Sequence, residues 1–185
     1  VGYAVGTAAA HLFAGVAAMR LGELEQARGL IVRARRELTD LGKELADDLA
    51  TRELELNVLA GTATTRDCDT LERRLGGAHP LWPRVRRCRG LVALRDGEFS
   101  KAEALFDDVL EHESVQGFER ALTLQALLLL PGSIRSAELT TEMDAIYADL
   151  GVGRHPPLVP ADLAFHDRAA SRRERDQDAA PTTGS

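Results

Sequence analysis

The sequence predicts an all-α protein, arranged as a short right-handed α-solenoid of about four antiparallel helix pairs. Alanine, leucine, arginine and glutamate are abundant among the 185 residues while β-branched runs are scarce, and this composition favours helices over strands. Four glycines at predicted bends, Gly22, Gly61, Gly97 and Gly132, recur at intervals of 39, 36 and 35 residues. This period indicates stacked helical hairpins, because one hairpin exposes an apolar face that a neighbour of the same shape must bury.

The first helix pair is predicted over about residues 3–41, in the stretch AHLFAGVAAMRLGELEQARGLIVRARREL. The small residue Gly15 precedes the bend at Gly22, and Leu24 and Ile31 follow it at helical spacing. We therefore expect two helices folded back on each other at Gly22.

Three further helix pairs follow, over about residues 45–76, 81–113 and 116–151. The third pair matches the first best, since Gly90 takes the place of Gly15 and Phe106 takes the place of Ile31. The second pair is degenerate, because Arg66 falls where the pattern has a small alanine. The fourth pair keeps little of the pattern beyond its glycine and two apolar positions.

We expect residues 1–151 to form one helical-repeat domain, followed by a proline-containing, largely disordered tail over residues 152–185. Residues 1–19 contain no charged side chain, but alanine and glycine dominate them and His11 lies among them, so we expect a buried repeat helix and no membrane span. Two cysteines without a CxxC motif are typical of a reducing compartment, and we expect a cytoplasmic protein.

The aligned repeats resemble the tetratricopeptide repeat, in which small residues let paired helices approach closely and larger residues fill the gaps between pairs. The positions that carry this resemblance are Gly15 with Gly90, Ala27 with Ala102 and Ala137, Leu24 with Phe99 and Ile134, and Ile31 with Phe106. A generic array of helical hairpins would have similar features, and that alternative stays open.

Two longer stretches resemble the repeat region of large bacterial ATP-dependent transcriptional regulators with a LuxR-type DNA-binding end. They are HPLWPRVRRCRGLVALRDGEFSKAEALFDDVLEHE and QGFERALTLQALLLL followed by AELTTEMDAIYADLGVGR, and together they cover roughly the last two repeats. In that family the helical array receives or relays a regulatory signal between an ATPase domain and a helix-turn-helix. This chain has no GxxxxGK[ST] loop, and a proline-containing segment follows Gly151. The resemblance therefore implies a sensing or interaction module and does not imply ATP or DNA binding.

No residue pattern in the chain predicts catalysis, a metal site or a cofactor. The five histidines form no HxxxH or HxH motif. The adjacent pairs Asp47–Asp48 and Asp107–Asp108 splay around their helices and cannot share a proton across a substrate. Cys88 stands between two arginines, but its helical position favours a packed thiol over a nucleophile. We expect a non-enzymatic protein.

The predicted partner-binding residues are Arg36, Trp82, Arg84 and Arg87. Arg84 and Arg87 belong to the densest basic cluster of the chain, on a first helix of a repeat, where forked guanidinium groups could hold a carboxylate-bearing peptide or an acidic partner surface. Trp82 is a candidate apolar anchor. Two alternatives stay open: the arginines pair with acids of neighbouring helices on a solvated face, and Trp82 packs between repeats.

These observations predict a protein-interaction or signal-relay module of a bacterial regulatory protein, in transcriptional regulation. The partner would be a protein or peptide, or another domain of the same regulator. A ligand-sensing array that closes around a small molecule is one alternative, and a homodimer formed through an apolar side of a terminal repeat is another. With a net charge of −6 and no aromatic residues between the arginines, we do not expect direct binding to nucleic acid.

Overall fold

The computed structural model describes residues 2–37, 43–131 and 135–152, and every regular element within these ranges is an α-helix. The prediction of an all-α protein is therefore confirmed. The helices are α1 (Gly2–Arg20), α2 (Leu24–Glu37), α3 (Lys43–Leu59), α4 (Thr65–Leu75), α5 (Trp82–Arg95), α6 (Phe99–Glu111), α7 (Gly117–Leu128) and α8 (Ser136–Asp149). Among the described residues, no helix combines the length and apolarity needed to cross a bilayer. The predicted tail lies outside the described residues from position 153 onward.

Three bends between consecutive helices share one glycine geometry. Gly22, Gly61 and Gly97 have φ angles of 79°, 73° and 79°, in a left-handed region that costs a residue with a Cβ about 1–2 kcal/mol. In each bend the residue after the glycine donates its N–H to the carbonyl five residues earlier, at 2.9 Å for Glu98. This Schellman turn satisfies carbonyls at the end of the helix that have no intrahelical partner. Gly132, at the fourth predicted bend, lies outside the described residues.

The α1–α2 and α5–α6 hairpins are closely packed because a glycine of the first helix faces a large side chain of the second. A Cβ placed on Gly90 would lie 2.3 Å from Cε1 of Phe106, and a Cβ placed on Gly15 would lie 2.9 Å from Cγ1 of Ile31. Both large side chains are fully buried. The absence of a side chain at each glycine therefore allows the two helices of the hairpin to approach each other.

The helices of the second predicted pair, α3 and α4, are less closely associated. Leu54 of α3 lies seven residues before its bend glycine, the position that Gly15 and Gly90 occupy in α1 and α5. A leucine there prevents the close approach that glycine permits. Accordingly, α4 packs more extensively against α5 than against α3, and it buries only Cys68 and Leu71.

The buried hydrophobic side chains form two clusters that meet at α3. Leu49 and Leu56 of α3 lie in the cluster shared with α1 and α2. Leu54 and Val58 of the same helix lie in the larger cluster, which extends through α4 to α8. Because α3 contributes to both clusters, it is the helix that joins the α1–α2 hairpin to the rest of the protein.

Candidate functional site

Oppositely charged side chains from four helices meet in one row. Arg20 of α1, Glu55 of α3, Arg87 of α5 and Glu119 of α7 alternate in sign along this row. The Nη2 atoms of Arg20 and Arg87 each lie 3.0 Å from Oε1 of Glu55, and Nη2 of Arg87 also lies 3.1 Å from Oε2 of Glu119. The side chains of Glu55 and Arg87 are only 2% and 3% exposed.

A second set of charges extends this row on α3 and α5. Nη1 of Arg52 lies 3.2 Å from Oε2 of Glu55. Arg84 donates from Nε to Oε1 of Glu119 at 3.0 Å, and its Nη1 lies 3.5 Å from Oδ1 of Asp48. We refer to the whole group as the inter-helix ion network, which consists of Arg20, Asp48, Arg52, Glu55, Arg84, Arg87 and Glu119.

Helical spacing places the members of the network side by side. On α3, Asp48, Arg52 and Glu55 are separated by four and three residues and so lie on one face. Glu119 lies in the first turn of α7 and Arg20 in the last turn of α1, positions where the helix dipole favours their charges. Arg20, Glu55 and Glu119 were not predicted as site residues from the sequence. Arg20, Glu55, Arg87 and Glu119 are 35, 32 and 32 residues apart in turn, three or four residues less than the intervals between the bend glycines, so a repeat alignment does not place them at one position.

The network keeps the carboxylates of Glu55 and Glu119 ionised. Burial on its own would raise the pKa of Glu55, but the guanidinium groups of Arg20 and Arg87 outweigh burial and hold that pKa well below its usual range. The pKa of Glu119 is also lowered, because Arg87 outweighs its burial. Neither carboxyl group retains a proton at neutral pH that it could donate to a substrate. The arrangement therefore suits linkage between helices better than acid–base chemistry.

Two of the predicted partner-binding residues, Arg84 and Arg87, belong to this network. Their side chains are 13% and 3% exposed. They pair with acids of neighbouring helices, Glu55 of α3 and Glu119 of α7. This pairing is what the alternative interpretation of the basic cluster expected. The same interpretation expected a solvated face, whereas the face that contains Arg87 is buried. A partner has no access to the guanidinium group of Arg87 in this arrangement.

Trp82 lies half-buried at the start of α5 and contacts its own hairpin. Its ring centroid is 5.4 Å from that of His112 at the end of α6, and the guanidinium carbon of Arg86 lies 5.4 Å from the Trp82 ring centroid. These contacts indicate that Trp82 has a packing role. The packing lies within the α5–α6 hairpin, whereas the sequence analysis placed it between repeats.

Arg36 is exposed near the end of α2, and its neighbours on that side of the helix are exposed as well. Gly29, Val32 and Arg33 precede it at helical spacing, and Val32 is 40% exposed. Neither Arg33 nor Arg36 forms an ion pair or hydrogen bond with any residue that the structure describes. We refer to Gly29, Val32, Arg33 and Arg36 as the basic face of α2. Val32 and Arg33 were not predicted as site residues, although their spacing from Arg36 is visible in the sequence.

Neither cysteine is suited to nucleophilic chemistry. Both side chains are buried. Burial raises the pKa of Cys68 to about 12, and it also raises the pKa of Cys88 despite the neighbouring Arg87. Both thiols are therefore protonated at neutral pH, and the reactive thiolate is scarce. In the described ranges, no three His, Cys, Asp or Glu side chains are grouped in a way that could hold a metal ion.

A cleft of about 410 Å³ lies between α6, α7 and α8, and it was not predicted from the sequence. Its lining includes two ion pairs. Nε of Arg120 lies 2.6 Å from Oε1 of Glu142, and Nη2 of Arg135 lies 2.9 Å from Oδ1 of Asp107. The volume is within the range of small-molecule sites. A ligand that displaced these ion pairs would need both an acidic and a basic group to satisfy the separated partners.

Comparison of the chain with models of known protein families, with curated proteins and with solved structures gives no match. The basis for a functional proposal is therefore the chain's own residues and their surroundings: the inter-helix ion network, the basic face of α2 and the α6–α8 cleft.

Proposed function

We propose that this chain is a non-enzymatic interaction module that binds an acidic region of another protein, or of another domain of the same polypeptide, on the basic face of α2. One observation carries this proposal. Arg84 and Arg87 are neutralised by acids inside the fold, whereas Arg33 and Arg36 present guanidinium groups at the surface without a described acidic partner.

The chemistry of the basic face of α2 suits a carboxylate-bearing partner. Arg33 and Arg36 are about one helical turn apart, so two carboxylates, or one acidic segment, can pair with both at once. Exposed Val32 lies about one turn before Arg36 on the same side of the helix and adds an apolar contact, and Gly29 leaves room for a backbone to approach. The net charge of −6 makes this basic face a local exception on an acidic molecule.

The proposal includes a tetratricopeptide-like arrangement, with the helix pairs stacked as a right-handed α-solenoid. Two features support it. The bends at Gly22, Gly61 and Gly97 have the same backbone geometry and hydrogen bonds. The interior glycines Gly15 and Gly90 each face a large side chain of the following helix. Repeated local geometry of this kind is expected when each hairpin buries its apolar face against the next one.

The proposal also includes a role in relaying a regulatory signal within a cytoplasmic bacterial transcriptional regulator. The resemblance of the last two repeats to LuxR-type regulators supports that setting. The inter-helix ion network supports the relay, because Glu55 and Arg87 each pair with charges on two other helices. A displacement of α1 or α7 on partner binding would therefore change contacts at α3 and α5.

The test is capture of binding proteins from a lysate of the source cell with the full chain as bait, read by mass spectrometry. The test variant is Arg33→Glu with Arg36→Glu. The matched control is Arg66→Glu with Arg73→Glu, which reverses two exposed arginines of α4 and changes the net charge equally. We expect the test variant alone to lose a protein that the unaltered chain captures, while circular dichroism shows the same helix content for all three.

Titration calorimetry with the purified partner then measures the contribution of the basic face. We expect the test variant to weaken binding at least about tenfold, and we expect added salt to weaken binding to the unaltered chain, because exposed charge pairs are screened. Equal capture by the test and control variants, or equal loss in both, would exclude the basic face of α2 as the partner site.

The α6–α8 cleft favours a second candidate function, the sensing of a zwitterionic small molecule such as an amino acid. A ligand of this class should raise Tm in a saturable way, because it binds only the folded chain. Arg120→Gln should remove this increase, since Arg120 lines the cleft. If no amino acid raises Tm, the sensing of amino acids is excluded and the interaction module is unaffected.

A further inference from the structure

The lining of the α6–α8 cleft contains more acidic than basic side chains. Helix α7 packs against both α6 and α8, so these two helices form the walls and α7 lies between them. The charged side chains of the lining are Asp107, Glu111, Arg120, Arg135, Glu138 and Glu142. Four carboxylates and two guanidinium groups give this lining a formal net charge of −2.

Both arginines of the cleft are neutralised by carboxylates of the same lining. Arg120 of α7 pairs with Glu142 of α8, and it also donates from Nη1 to the carbonyl oxygen of Leu110. Arg135 pairs with Asp107 of α6. A ligand that leaves these two ion pairs in place therefore meets only the charges that remain on the two walls.

The excess negative charge belongs to Glu111 of α6 and Glu138 of α8. Both residues are exposed, and neither carboxylate forms an ion pair or hydrogen bond with any residue that the structure describes. The pKa of Arg135 is raised, chiefly by its hydrogen bond with Asp107, and the charge of Glu138 adds to this effect. One carboxylate on each wall is thus left to pair with a cationic group of a ligand.

The rest of the lining is apolar and comes from all three helices. Leu124 of α7 and Leu139 of α8 are buried, and Leu110 of α6 is half-buried. Leu110 directly precedes Glu111 in the chain, and Leu139 directly follows Glu138. Because Leu124 belongs to the helix between the walls, the three leucines provide an apolar surface across the cleft. Methylene groups of a ligand gain free energy when they leave water for such a surface.

We propose that the α6–α8 cleft binds an aliphatic diamine, with one ammonium group at Glu111, the other at Glu138 and the methylene chain on the leucines. Such a ligand supplies the two positive charges that balance the lining. A neutral amino acid adds no net positive charge, and its carboxylate would approach a lining that already has excess negative charge. The diamine would occupy the same cleft as the amino acid of the second candidate function, and its binding does not depend on the basic face of α2.

Thermal melts of the full chain in the presence of amines test this site. The probes are putrescine, cadaverine and spermidine, compared with butylamine, which has the carbon chain of putrescine and a single ammonium group. We expect at least one of the three to raise Tm in a saturable way, with a Kd below about 1 mM, and butylamine to bind at least about tenfold more weakly. If none of the three raises Tm, or if butylamine binds as well as they do, the proposal is wrong.

Removal of the two unpaired carboxylates tests where the amine binds. Glu111→Gln with Glu138→Gln should weaken diamine binding at least about tenfold in titration calorimetry, while circular dichroism shows unchanged helix content. The matched control is Glu113→Gln with Asp149→Asn, which removes two exposed carboxylates outside the lining and changes the net charge equally. The control should bind like the unaltered chain. Equal weakening in both variants would mean that diamines respond only to the overall negative charge, and would overturn the site.

Free alanine in the same melts distinguishes the diamine from the amino acid of the second candidate function. An increase in Tm with a diamine but not with alanine would support the diamine site and count against the sensing of neutral amino acids. An increase with alanine but with none of the amines would overturn the diamine site and leave the second candidate function in place. Partner capture through the basic face of α2 is measured with different variants, so its outcome is independent of both.

Discussion

The α1–α2 and α5–α6 hairpins are built on the same local pattern and have different surroundings. Each has a left-handed glycine at the bend and a second glycine, seven residues earlier, that faces a large side chain. Helix α5 also packs against α3, α4 and α7, and most of its residues are buried. Helix α1 packs mainly against α2 and leaves Phe13 exposed. The pattern thus specifies a hairpin, and the neighbouring helices decide whether that hairpin is core or surface.

The inter-helix ion network is what connects the two hairpins electrostatically. Glu55 of α3 accepts hydrogen bonds from Arg20 of α1 and from Arg87 of α5. Each arginine is buried, so each depends on this carboxylate for much of its compensation. Substitutions in the ion network should affect both hairpins together, whereas substitutions of the interior and bend glycines should affect each hairpin separately.

Removal of the Glu55 carboxylate should have the largest effect. Glu55→Gln leaves two buried arginines without their shared counter-ion, and loss of one partner of a buried ion pair costs about 3–5 kcal/mol. Urea unfolding measures the free energy of unfolding. The matched control is Glu53→Gln, two residues away, whose carboxylate pairs with the exposed Arg35 and should cost less than about 1 kcal/mol. Equal losses would show that the network adds no special stability.

Acidification should destabilise the fold through the same carboxylate. The folded-state pKa of Glu55 lies below its ordinary value of 4.5, so the unfolded chain binds the proton first. The stabilisation is fully present above the ordinary value and is lost as the pH falls below it towards the folded-state pKa. Urea unfolding between about pH 7 and about pH 3 should show this decline.

A comparison of variants shows whether Glu119 contributes to that pH dependence. Glu119→Gln removes a second carboxyl group whose pKa is lowered, at a more exposed position, and should make the decline shallower. If Glu119→Gln and the unaltered chain decline with the same slope, Glu119 does not contribute to the pH dependence.

The interior glycines should distinguish the two hairpins. Gly90→Ala places a methyl group against the buried ring of Phe106 and should cost about 1–3 kcal/mol through overpacking. Gly15→Ala makes a less severe contact with the flexible side chain of Ile31, and the higher helix propensity of alanine, worth about 1 kcal/mol, should offset most of it. Thermal melts of the two variants test the ranking. A larger loss at Gly15 would mean that α1 and α2 are the more tightly packed pair.

The bend glycines should affect both hairpins equally. Gly22→Ala and Gly97→Ala each force a Cβ into the left-handed region, which costs about 1–2 kcal/mol wherever the bend is located. Nothing lies within 4 Å of a Cβ at either position, so no clash adds to the strain. Thermal melts should give matching losses. A difference above about 1 kcal/mol would show that surroundings influence the bends as well.

The helices and bends were accessible from the sequence because they depend on residues close together in the chain. Gly22, Gly61 and Gly97 were identified by their spacing, and each has the positive φ that favours glycine. The loose association of α3 with α4 also had a local cause, since Leu54 stands where the α1–α2 and α5–α6 hairpins have glycine. This departure from the repeat pattern at Leu54 is visible in the sequence, as is the departure at Arg66.

The partner-binding residues were harder to assign, because exposure depends on which helix faces meet. Arg36 and Arg87 both appear in the sequence as arginines on amphipathic helices. Only the packing of α3 and α7 beside α5 buries Arg87 against Glu55 and Glu119, whereas none of the described residues covers Arg36 in this way. The difference lies in contacts more than 30 residues apart in sequence.

The sequence by itself determined the all-α class, the helix bends and the close glycine contacts, because backbone sterics and helical periodicity act over a few residues. The tertiary structure decided which arginines are internal, how four helices share one ion network, and which face of α1 the described residues leave exposed. Those outcomes depend on free energies of burial and charge pairing between distant segments, and these exist only once the helices are packed together.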